Sequence, residues 1–82
     1  VTNGALEVVE CEITENSRMI GKALREISTP GSFLVLMIRK SGIETYQIVD
    51  GNTRMYAGDH VVLITVASNS KKILSQFSGS SE

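Results

Sequence analysis

Cysteine, histidine and proline each occur once in the 82 residues, and tryptophan does not occur. A single cysteine, Cys11, has no partner for an internal disulfide, which points to a cytosolic chain. One histidine and one cysteine fall short of the three or four nitrogen and sulfur ligands of a zinc site. Charge of either sign is also scarce: eight Lys/Arg stand against nine Asp/Glu, for a formal net charge of −1 and a pI near 5.8. Without a positive field the chain has little to offer a phosphate backbone, so nucleic acid is not an expected partner. The longest apolar run, Phe33 to Ile38, is six residues, where a membrane-spanning helix needs roughly twenty. Direct membrane insertion is therefore not expected. No GxxxxGK[ST] or GxGxxG phosphate cradle is present. The N-terminal Val1-Thr-Asn-Gly carries no signal-peptide pattern and no Met, so residues 1–82 read as one domain, with a core from about 6 to 77, cut from a longer protein.

What is present is a sequence of short periodic segments. Leu6 to Ile13 alternates Val9, Cys11 and Ile13 with Glu10 and Glu12, the period of a half-buried strand. Met19, Ile20, Ala23, Leu24 and Ile27 recur at helical spacing and predict a helix from about Ile20 to Glu26, with Gly21 a weak point inside it. Ser28 to Ser32, with Pro30 and Gly31, reads as a loop. Phe33 to Ile38, apolar throughout, suits a central strand covered on both faces. Arg39 to Gly42 then predicts a hairpin turn and Ile43 to Ile48 its returning strand. Asp50 to Asn52 turns again, Thr53 to Tyr56 is extended, and Ala57 to Asp59 leads into a β-branched strand, His60 to Val66. Ser68 to Ser70 caps a last helix, Lys71 to Phe77, that buries Ile73, Leu74 and Phe77; the tail from Gly79 is polar. The order predicts a small α+β domain: a small mixed β-sheet with two short helices.

Catalytic groups are sparse. His60 is the one imidazole that could serve Cys11 or a serine as a base. His60 heads a strand and Cys11 occupies an inward position, so both read as structural, and a small His-dependent hydrolase is the distant alternative. Glu7, Glu10, Glu12 and Glu15 read as a solvated edge, and Asp50-Gly-Asn as turn chemistry rather than a calcium loop. No catalytic or metal-binding residue is assigned. The apolar content of 33–38, 61–66 and the Leu24/Ile27 face exceeds what two short helices can cover, which predicts a homodimer interface or an adjoining domain.

Taken in order, Val9-Glu-Cys-Glu-Ile-Thr, Ser17-Arg-Met-Ile-Gly21-Lys-Ala-Leu-Arg-Glu-Ile27, Phe33-Leu-Val-Leu-Met-Ile-Arg-Lys and Tyr56-Ala-Gly58-Asp59-His60-Val-Val-Leu resemble the TrkA-C domain, the C-terminal module of RCK regulatory proteins. The resemblance covers about residues 7 to 77. It implies a non-catalytic, ligand-sensing and dimerising domain, cytoplasmic and peripheral to the inner face of the cell membrane. It further implies a homodimer working with a Rossmann-type nucleotide-binding domain and a membrane potassium transporter of the Trk uptake type; attachment to another ion antiporter or anion carrier is the alternative. No cofactor is expected in this fragment; some members hold cyclic di-AMP between two protomers, which makes that nucleotide the candidate ligand the resemblance offers. Carried over by position, the apolar contacts fall on Leu24 and Ile27. The start of the following strand falls on Phe33 and Leu34, where binders of that nucleotide carry an Asn, and the hairpin proline is replaced near Gln47 to Val49. Leu24, Ile27, Ser32, Phe33 and Leu34 are the candidate ligand or interface residues.

Overall fold

The structure, a computed structural model, describes residues 4–27 and 31–79. Most of the Ser28–Ser32 loop and the end of the polar tail lie outside the described residues. Four strands, β1 (Leu6–Glu12), β2 (Phe33–Arg39), β3 (Gln47–Ile48) and β4 (His60–Val66), form one sheet in the order β1-β4-β2-β3. All three pairings are antiparallel, and the parallel component of the expected mixed sheet is reduced to an isolated bridge between Ile20 and Met55. Two helices, α1 (Leu24–Ile27) and α2 (Ser70–Ser78), complete the predicted α+β class.

Alternation places Val9 and Cys11 of β1 and Val61, Leu63 and Thr65 of β4 on the inner face, where Phe33, Val35 and Ile38 of β2 join them. A bulge between Val35 and Met37 shifts the β2 register by one residue, so that Ile38 rather than Met37 follows Val35 on the inner face. The inner face packs against Ile13, Met19, Met55 and the Ile73/Phe77 side of α2. Leu74, expected beside them, is only half-buried. The Phe33 and Phe77 rings meet edge to face at 5.3 Å.

Helix α2 follows a 3-10 turn at Ala67–Asn69 and ends in Gly79 at φ 85°, whose N–H donates to the Ser75 carbonyl at 2.9 Å. Within the expected Ser68–Ser70 cap, Asn69 takes the N-cap position and makes no side-chain cap bond. The end of α2 is instead held by the turn after β1: Ser17 Oγ donates to the Gln76 carbonyl at 3.3 Å, and Thr14 Oγ1 donates to the Ser78 carbonyl. A Cβ on Gly79 would lie 2.7 Å from the Asn16 carbonyl carbon, so glycine is required there by space as well as by φ.

Three further expectations change. The helix predicted from Ile20 to Glu26 is a single turn, Leu24–Ile27. Gly21 sits at φ 80° and donates its N–H to the Met55 carbonyl at 2.8 Å, so residues 20–23 run beside 54–55 instead of coiling. The returning strand predicted from Ile43 to Ile48 pairs only at Gln47 and Ile48. The turn closes from Ile43 N–H to the Lys40 carbonyl at 3.0 Å, and Arg39 donates to the Ile43 carbonyl and covers the Tyr46 ring at 5.6 Å. Strand β2 is central but covered on its inner face only, with Leu34 and Leu36 exposed on the other.

Candidate functional site

Helix α1 is too short to be stable alone, and its position depends on borrowed hydrogen bonds. Leu24 N–H donates to the Thr53 carbonyl and Arg25 N–H to the Gly51 carbonyl, both at 2.9 Å, so two donors of the first helical turn are satisfied by the 51–53 turn. Glu26 Oε1 accepts the Ala23 N–H at 2.8 Å, as in a capping box. That amide, ahead of the nearby Arg54, Arg25 and Lys22 charges, holds the Glu26 carboxyl below the usual carboxylate range despite some desolvation. The turn itself is fixed by Asp50, whose Oδ1 accepts the Asn52 N–H at 2.8 Å, and by a bond from Arg25 to the Asn52 carbonyl oxygen of its side chain.

Docking α1 on this turn, with the start of β2 alongside, leaves a cleft of about 270 Å³ lined by Leu24, Arg25, Ile27, Phe33, Leu34, Val35, Val49, Asp50 and Gly51. Four of the five candidate residues, Leu24, Ile27, Phe33 and Leu34, meet there. Ser32 does not line it; its carbonyl accepts the Thr65 hydroxyl at 2.7 Å, and it borders two smaller hollows nearby. Sequence reasoning missed the opposite wall, Val49 to Gly51. Asp50-Gly-Asn signals a turn, but nothing local indicates that the turn faces α1.

Beside the cleft, the outer face of the sheet is largely apolar. Val8, Ile64 and Leu34 stand in one row across three strands; Val62, Met37 and Ile48 stand in the next, with Glu10 at the β1 edge. Leu6, Val8, Leu34 and Ile48 are 66, 60, 62 and 89% exposed, a large apolar surface for so small a domain. Leu34 belongs both to this face and to the cleft.

At the other end of β2, the Gly58-Asp59 pair forms a closed polar corner. Asp59 is 2% exposed. Its carboxylate accepts the Lys40 ammonium at 2.6 Å, the Ser41 N–H at 3.0 Å and the Tyr56 N–H at 2.8 Å. Burial pushes the Asp59 carboxyl up, but Lys40 and the two amides outweigh it and hold the carboxyl below its ordinary range. Gly58 lies at φ 92°, and a Cβ there would meet Ser41 Oγ at 2.6 Å. Asp59 thus has the structural role expected of it, with Lys40 as a partner distant in sequence.

Cys11 and His60 lie on opposite faces: Cys11 pairs in register with Val61 on the inner side, and His60 stands on the outer side between Glu10 at 3.9 Å and Glu12 at 3.8 Å. Burial, with Glu10 adding to it, pushes the Cys11 thiol up to about 11, which keeps it protonated at neutral pH. The geometry does not join them as nucleophile and base. Among the described residues no three His, Cys, Asp or Glu side chains are arranged to hold a metal ion, and no helix is long and apolar enough to cross a membrane.

Compared with known families, residues 8–78 match the model of the TrkA-C domain. No curated protein matches the chain.

Proposed function

The chain belongs to the TrkA-C domain family, whose members are regulatory rather than catalytic domains of ion transport systems, and from that premise we propose that it is the cytoplasmic ligand-sensing and dimerising domain of a Trk-type potassium uptake system. A small ligand binds the Leu24/Ile27/Phe33/Leu34 cleft, and a second copy of the chain covers the apolar outer face of the sheet. The observation that carries this reading is that Leu34 lies on both surfaces. A protomer packed over the outer face borders the cleft, so ligand and dimer geometry are coupled. A ligand that binds one geometry better than another shifts the population toward it, and an attached transporter feels the shift.

Cyclic di-AMP is the first ligand to test, with Leu24, Ile27, Phe33 and Leu34 as contacts and Ser32 at the rim. Calorimetric titration of the chain with cyclic di-AMP, ATP and NADH, alongside light scattering, tests the reading. One cyclic di-AMP per dimer, lost on Ile27→Ala, supports it. A dimer that gives no heat with any of the three leaves assembly without nucleotide sensing.

A further inference from the structure

We propose that a second site, on the far side of Phe33 from the cleft, binds a small phosphate monoester with an apolar body. Of the eight Lys and Arg residues, four have partners: Arg25 bonds Asn52, Arg39 bonds the Ile43 carbonyl, Lys40 pairs with Asp59, and Arg54 bonds the Gly21 carbonyl and stands near Glu26. The side chains of the other four, Arg18, Lys22, Lys71 and Lys72, have no hydrogen bond or ion pair among the described residues. Three of those four border one groove.

The groove has two adjoining parts. A hollow of about 290 Å³ is lined by Arg18, Met19, Lys22, Glu26, Ile27, Phe33 and Gln76. A smaller one of about 170 Å³, sharing Phe33 and Gln76, adds Lys72 and Asn69. Together they approach the size of ordinary small-molecule sites. Glu26, the one acid on these walls, is already engaged by the Ala23 amide at 2.8 Å and stands 3.6 Å from the Arg54 guanidinium. The remaining charge is therefore positive, in a chain whose net charge is −1.

The chemistry selects the ligand class. Met19, Ile27 and Phe33 offer an apolar floor, and Gln76 an amide. A guanidinium takes two phosphate oxygens at once, while the two lysines supply point charges. Three cations around one groove match a phosphate monoester, which carries about −1.5 to −2 at neutral pH, better than a single carboxylate. The site is independent of the proposed cyclic nucleotide cleft, although Ile27 and Phe33 form part of the wall between them.

The test is amide chemical-shift mapping of the chain with phenyl phosphate at fixed ionic strength, with inorganic phosphate and benzoate as comparisons. The expected result is saturable shifts clustered at Arg18, Met19, Lys22, Lys72 and Gln76. Phenyl phosphate should bind more tightly than either comparison, and at least tenfold more weakly to Arg18→Gln/Lys22→Gln. Lys71→Gln, which removes the unpaired cation outside the groove, should bind as the parent does. Equal weakening by Lys71→Gln, equal affinity for inorganic phosphate, shifts centred elsewhere, or no saturable shift would each overturn the proposal. Exposed Arg18 and Lys22 can be changed without emptying the core, and the dispersed spectrum of each variant reports its fold directly.

Discussion

The Gly58-Asp59 corner and the Leu24/Phe33 cleft lie at opposite ends of β2, and they treat their side chains in opposite ways. At the corner a buried carboxylate is fully engaged by one ammonium and two amides, joining the start of β4 to the turn after β2. At the cleft apolar side chains stand beside an open volume, and the backbone that places them depends on a single helical turn held by the 51–53 carbonyls. The family's motif residues are thus divided between fixing the scaffold and offering a surface. A glycine-aspartate motif can be highly recognisable and say nothing about a ligand.

The largest expected effect comes from breaking the corner. Asp59→Ala leaves Lys40 and two amides without their acceptor and should cost about 3 kcal/mol or more, read as a fall in the urea midpoint. Gly58→Ala, which forces a Cβ into Ser41 at φ 92°, should cost about 1–3 kcal/mol by the same measurement. The corner also predicts acid sensitivity. The folded Asp59 carboxyl titrates below its unfolded value, so its stabilisation is present above about pH 4 and is lost as pH falls through the folded value. Asp59→Asn should flatten that part of the stability–pH curve; an unchanged slope would show that other carboxylates set it.

Changes at the cleft and outer face should move stability far less. Leu34→Glu, at a position exposed in the single chain, should change the stability of the folded monomer by no more than about 0.5 kcal/mol while opposing self-association. If Leu34→Glu unfolds the monomer instead, the face is part of the scaffold and the contrast with the corner fails.

The strands were legible because a period of two survives in Val9/Cys11/Ile13 and in the β-branched His60–Val66 run. The apolar half of the cleft was legible through the resemblance carried by Gly21-Lys-Ala-Leu and the start of the Phe33 strand. The helix from Ile20 was misread because Met19, Ile20, Ala23 and Leu24 imitate helical spacing, whereas Gly21 and the carbonyls of 51–55 offer the backbone partners far along the chain. Distance in sequence also hid the bond between Arg25 and Asn52 and the pairing of Lys40 with Asp59. A continuous apolar run shows that β2 is central, but not whether the second cover comes from its own chain. Leu34 and Leu36 were therefore read as buried, and the structure leaves them exposed.

The measurement that bears most directly on the proposed regulatory role is the light-scattering mass of the parent chain and of Leu34→Glu at matched concentration. The account predicts twice the 8.9 kDa chain mass for the parent, and for the variant the single-chain mass with a cooperative urea transition whose midpoint no longer depends on protein concentration. A parent chain that stays monomeric into the millimolar range, or a variant that remains a dimer, would contradict it.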